Sequence, residues 1–204
     1  MLAEWSVECQ AEDPVLIVPW SSLDSNNTQD AAPELRFVDL RANPYDLDHI
    51  PEAEQHPALL HALRALNAAR SPVFTAKCDV WPMDPDETET VRLNLDLSAE
   101  EALHGYASYI DLLWTDRSIF ASFHRTEQLL HRLTRHAQPL DLTWAMLDCV
   151  VRPAIVDLTG PQEGFAISLY VKAVGSDEPS AYTSWEQALE AVTTLLRAKD
   201  LALA

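Results

Sequence analysis

The sequence predicts an α+β protein made of two fused, similar β-α-β-β-α units, ferredoxin-like in outline. Antiparallel sheet would be backed by helices, with an N-terminal β-hairpin added. Three observations predict it. First, LLHALRALNAARSPVFTAKCDVWP (59–82) lines up with LLHRLTRHAQPLDLTWAMLDCVVRP (129–153), allowing one inserted residue. FVDL (37–40) corresponds to YIDL (109–112), and YASYIDLL (106–113) has a fainter echo in YTSWEQAL (182–189). The offset stays between seventy and seventy-six residues, as a tandem duplication requires. Second, apolar residues recur with a period of two in some stretches and 3.6 in others, the signatures of strand and helix. Third, 204 residues that are 48% hydrophobic, with six Trp, five Tyr and five Phe, can bury a substantial core.

The elements follow in order. EWSVECQ (4–10) and PVLIVPW (14–20) read as the two strands of a hairpin, and SSLDSNNTQDAAPE (21–34) as a polar loop. ELRFVDLR (34–41) reads as a strand, Glu52 to Arg70 as a helix and VFTAKCDVW (73–81) as a strand. The acidic DPDETE (84–89) reads as a solvated turn joining two strands. ETVRLNLDL (89–97) alternates strictly, with Val91, Leu93, Leu95 and Leu97 on one face, which predicts another strand. Ser98 followed by Glu101 has the spacing of a capping box, so a helix is expected to start there. The second copy would hold a helix over 117–137, a strand within 141–152, a strand GFAISLYVKAV (164–174) and a helix from Ser180 to Ala198. The expected segments are 1–34 (hairpin and loop), 35–106 (first repeat) and 107–204 (second repeat), packed as one compact unit.

Thirty-two acids against fourteen bases give a net charge of −18, which repels nucleic acid and anionic lipid. The acidity is uneven: residues 1–101 carry twenty acids and six bases, residues 102–204 twelve and eight. Within 117–137 the sign reverses, with Arg117, Arg125, Arg132 and Arg135 against Glu127 alone. The opening MLAEWSVECQAEDP carries four acids, the opposite of a secretory signal's basic start, and no run approaches a membrane span. A cytoplasmic setting is therefore expected, with no membrane and no nucleic acid as partner. Cys9, Cys78 and Cys149 form no C-x-x-C pair, and strand parity puts each on the more apolar side of its strand, as buried free thiols.

The stretch SFHRTEQLLHRLTRH (122–136) raises the question of a metal or proton-transfer site. At 100° per residue, Ile119, Phe123, Leu129, Leu130, Leu133 and Ala137 share one stripe, and His124, Glu127, Gln128, His131 and Arg135 share the opposite one. His124 and His131 are about 10.5 Å apart along the axis, too far to share an ion, so no metal is expected. The stripe reads as a solvated face or a partner-facing one. The sheet face opposite the cysteines should carry Lys77, Asp79, Trp81, Leu142, Trp144, Met146, Ser168, Tyr170 and Lys172. That mixture fits a core shared by the two copies, an association surface or a small-molecule pocket.

The phosphate-loop, dinucleotide, nucleophile-elbow, zinc-protease and EF-hand patterns are all absent from the sequence, and no cofactor is implied. The expectation is a non-catalytic protein-binding or regulatory module that meets a protein partner or a copy of itself. Its candidate contact residues are Trp81, Trp144, Met146 and Tyr170 on the sheet, and His124, His131 and Arg135 on the helix. One alternative is an acidic inhibitor that neutralises a basic partner. Another is an enzyme with a pocket between the repeats that uses His124 or His131 as a proton carrier.

Overall fold

The computed structural model describes residues 1–8, 14–17, 39–43, 45–47 and 50–198. Among them lie six helices and one six-stranded mixed sheet backed by helices. Strands β1 (Leu2–Val7) and β2 (Val15–Ile17) open the chain. They do not form the expected hairpin. Each pairs in parallel with β5 (Ala145–Asp157), β1 along Met146–Val151 and β2 along Ala154–Val156. Cys9, the 21–34 loop and most of the 34–41 strand expected from the sequence lie outside the described residues.

The helix expected over 52–70 is two helices, α1 (Pro51–Gln55) and α2 (Pro57–Leu66). His56 between them is extended, because the ring of Pro57 crowds the α conformation of the residue before it. Strand β3 (Val73–Pro82) follows as predicted, with a bulge between Thr75 and Cys78. Asn67, the C-cap of α2, anchors it. Its side-chain oxygen accepts from the Thr75 amide at 3.0 Å, and its nitrogen donates to Thr75 Oγ1 and Leu63 O, both at 2.8 Å.

The 84–97 region overturns two expectations. DPDETE is no loop and ETVRLNLDL no strand; both contribute to helix α3 (Pro85–Asn94). Asp84 caps it by accepting from the Glu87 amide at 2.8 Å, Pro85 occupies the first turn, and Asp86 and Glu87 oppose the helix dipole. Val91 is buried, whereas Leu93 is 62% exposed, so the strict alternation does not share one face. The Ser98–Glu101 pair makes only half of a capping box, the Ser98 amide donating to Glu101 at 2.9 Å. The chain then enters strand β4 (His104–Trp114) instead of a helix, because Ala107, Ile110, Leu112, Leu113 and Trp114 are all buried in the sheet.

The helix expected over 117–137 breaks at Ala121 and Ser122 into α4 (Arg117–Phe120) and α5 (Phe123–Ala137), capped by Asp116 and Ser122. After β5 come β6 (Pro161–Gly175) and α6 (Glu178–Leu196), both close to prediction. The order of full neighbours is β1-β5-β6-β4-β3, antiparallel from β5 to β3. From β4 onward the order is β-α-α-β-β-α, the β-α-β-β-α expected of one unit with its first helix broken in two. The described segment between β2 and β4 instead runs α-α-β-α. Strands from all three expected segments belong to the same sheet.

Alternation along β5 and β6 fixes the layers. Leu147, Cys149 and Val151, with Ile167, Leu169, Val171 and Ala173, join the main core with Leu129, Leu130 and Leu133 of α5, Leu63 of α2 and Leu189 of α6. Trp185 of α6 is fully buried there and donates to Ser108 Oγ of β4 at 2.9 Å. The intervening residues face the other side, where α3 builds a smaller core from Met83, Val91, Ala102, Ala107 and Val174. At the far end of that same side the sheet rolls inward. There β2 reaches β3, and Val15 and Ile17 are buried while Leu16 between them is 50% exposed.

Candidate functional site

The face opposite the cysteines is not bare sheet. Helix α3 covers one end of it, and this redistributes the candidate residues. Trp81 and Trp144 pack against the small core under α3, and Trp81 Nε1 donates to Glu87 at 3.0 Å. Met146 is buried. Apolar side chains that the sequence left unassigned are therefore partners for α3. The reason is the α3 helix itself: read as a strand, that stretch offers nothing to cover this face.

Tyr170 lies in the middle of the face, between α3 and the rolled end. Its ring is 6.0 Å from Tyr109, which in turn is 6.3 Å from Trp81. Lys172 lies over the Tyr170 ring at 5.8 Å and pairs with Glu87 at 3.4 Å. Beneath this strip Ser168 donates to the buried Asp111 at 2.5 Å. Burial, reinforced by Asp111 and Asp79, pushes the Tyr109 phenol up to about 12, and burial also raises Tyr170. Asp148, opposite Tyr170 on β5, is raised by burial against the opposing pull of Lys172. The strip is half-buried, aromatic and of mixed charge. Tyr109 and Asp111 were missed by sequence reasoning, although the alternation of β4 would have put them on the face of Tyr170.

Helix α5 presents the second group of candidates. His124, His131 and Arg135 are exposed, with Arg125 and His136 beside them and Arg117 on α4. His124 Nδ1 lies 3.4 Å from Glu127, and the ring of His131 meets that of Trp5 edge-on at 4.8 Å. Arg125 donates to Ser118 Oγ at 2.6 Å, which ties α5 to α4. The structure thus brings His124, His131 and Arg135 onto one outer face but separates them from the sheet strip by the whole thickness of the sheet. Among the described residues, no three His, Cys, Asp or Glu side chains converge as a metal would require, and no helix is long and apolar enough to cross a membrane.

A third location involves none of the candidate residues. A cavity of about 330 Å³ opens between the N-terminal ends of α3 and α6, over Gly105 of β4, with Leu103, His104, Tyr106 and Glu178 on its wall. Neither His124 nor His131 lines it.

Burial disposes of both described cysteines as reactive groups. It pushes the Cys78 thiol up to about 12, with Glu52, Asp79 and Asp111 adding to the effect, and raises the fully buried Cys149 further still.

Comparison of the chain with models of protein families, with curated proteins and with solved structures finds no match in any of the three.

Proposed function

We propose that the chain is a non-catalytic protein-binding module whose contact surface is the outer side of α5. One observation carries this reading. On a molecule of net charge −18, α4 and α5 gather Arg117, Arg125, Arg135, His124, His131 and His136 on exposed surface, against a single half-buried acid, Glu127. A cationic face kept on so acidic a chain suits an anionic protein surface, since opposite potentials steer encounter and fix orientation. The net charge argues against nucleic acid as that partner.

The test is light scattering and affinity capture with the full chain, beside an Arg125→Glu/Arg135→Glu variant. Specific capture or self-association that the double variant loses, with its melting curve unchanged, supports the proposal. A wild-type chain that stays monomeric and retains nothing above the variant would sink it.

A second reading, an acidic inhibitor of a basic partner, draws on Asp84, Asp86, Glu89, Asp96, Glu100 and Glu101, all exposed on and after α3. It predicts capture of a cationic protein that weakens steeply with salt. Capture that salt leaves unchanged would count against it. A proton carrier at His124 or His131 draws little support from the geometry, because both imidazoles lie on open helix surface.

The finer structural expectations belong to the same proposal. Cys78 and Cys149 as free thiols support a cytoplasmic setting. The helix–strand pairs α2–β3 and α5–β5 support a tandem duplication. A ferredoxin-like outline draws on the split β-α-β unit, in which β6 lies between the parallel strands β4 and β5.

A further inference from the structure

We propose that the cavity between α3 and α6 is a subsite for an aliphatic cation: a lysine or arginine side chain of a partner, or a free alkylamine of the same shape. The inference does not depend on what α5 contacts.

The cavity's size is the first constraint. At about 330 Å³ it is at the small end of ligand sites, with room for one long side chain. Its walls suit an alkyl stem. Met83 covers Gly105, where any Cβ would run into the Met83 terminal methyl, so the missing side chain is what lets that methyl form the floor. Leu103 stands on the rim 62% exposed, an apolar surface that a bound stem would cover.

The polar end selects the charge. Glu178 Oε1 accepts from the Tyr106 hydroxyl at 3.1 Å, which aims the carboxylate and leaves Oε2 for a ligand. The positive ends of α3 and α6 point toward the cavity and would oppose a cation. They amount to about half a charge each, against the carboxylates of Asp84, Asp86, Asp177 and Glu178 at the same two ends. Four carboxylates outweigh two half charges, Glu178 being the one on the cavity wall itself; His104 is the basic side chain among the lining residues, and no lysine or arginine joins it. An ammonium or guanidinium on an aliphatic stem satisfies both halves of the site, whereas a carboxylate is repelled and a neutral alcohol leaves the charge unmatched.

The chain contains three methionines, Met1, Met83 and Met146, so ¹³C-methyl methionine labelling of the full chain gives a reporter on the floor and two controls. The probes are n-butylammonium, n-butanol, butyrate and the blocked amino acids N-acetyl-lysine methylamide and N-acetyl-arginine methylamide. A saturable shift of Met83 alone is expected with the cations, about tenfold weaker with butanol and absent with butyrate. Glu178→Gln should weaken the cations to the level of butanol. Leu103→Lys, a change at an exposed position, should fill the site with its own tethered ammonium and abolish the response. A stronger response to the blocked amino acids than to butylammonium assigns the site to a partner's side chain; the reverse order assigns it to a free amine. No saturable Met83 shift with any cation, or equal responses to butylammonium and butanol, overturns the proposal.

Discussion

Asn67 shows how much one polar side chain can hold. It is buried, and its amide serves the Thr75 backbone, the Thr75 hydroxyl and the Leu63 carbonyl together. Asn67→Ala would strand the Thr75 amide at the β3 bulge, so a loss of about 1–3 kcal/mol in denaturant unfolding is expected. Asp148 works in the other direction. Burial raises its folded-state pKa above the ordinary 3.8, so the folded form holds its proton more tightly than the unfolded one. Stability from this group is full below pH 3.8 and is lost as pH rises through the folded value. Asp148→Asn should therefore melt higher than wild type at pH 7, and the gain should vanish in melts below about pH 3.8. An unchanged gap across that range would contradict the assignment. Cys149 is fully buried with its thiol raised, so iodoacetamide at pH 8 should leave it unmodified in the native chain and alkylate it after denaturation, read by peptide mass mapping. Of these three, only the burial of Cys149 was legible in the sequence, from its strand parity. The other two depend on neighbours from distant segments.

At the scale of elements, α3 decides most. Its start signal was legible in the sequence: Asp84 before Pro85, with Asp86 and Glu87 in the first turn, is a helix N-terminus. The alternation of Val91, Leu93, Leu95 and Leu97 competed with that signal, and the local caps prevailed because the face α3 covers needs only Val91 and the half-buried Leu95 and Leu97. Removing the Asp84 cap should cost about 1 kcal/mol in denaturant unfolding. The indole NH resonance of Trp81, which donates to Glu87 in the first turn of α3, should move in the same variant. A variant with unchanged stability and an unmoved indole would mean that the cap does not hold this helix. The failed hairpin has a different cause. Both N-terminal strands were legible, but the β5 residues they pair with lie more than 130 positions later, and nothing local distinguishes a strand that turns back from one that awaits a distant edge.

For the whole molecule, charge and curvature matter together. The sheet puts acidic α3 and cationic α5 on opposite faces, and the 117–137 sign reversal seen in the sequence becomes an exposed surface shared by α4 and α5. Binding through that side should weaken as salt rises, because exposed charges lose range as the screening length falls below about 8 Å above physiological ionic strength. Capture by wild type measured across a salt series tests this, and binding indifferent to salt would remove α5 charge as its cause. The candidates on the sheet fared differently. Trp81, Trp144 and Met146 were recognisable as apolar residues in need of a partner, but whether that partner was a second chain or this one depended on where α3 lay.

The sequence by itself determined what short-range patterns encode: an α+β chain, strands at 73–81 and 164–174, a last helix from 180, the inward thiols of Cys78 and Cys149, and the outward imidazoles of α5. Periodicity of two or 3.6 residues is a local property, and burial follows it wherever a single face is apolar. Only the tertiary structure decided that β1 and β2 join β5 in parallel, that α3 covers the far side of the sheet, and that Gly105, Met83, Leu103 and Glu178 enclose one cavity. These depend on which distant surfaces meet, and many pairings bury similar apolar area until the whole chain selects among them.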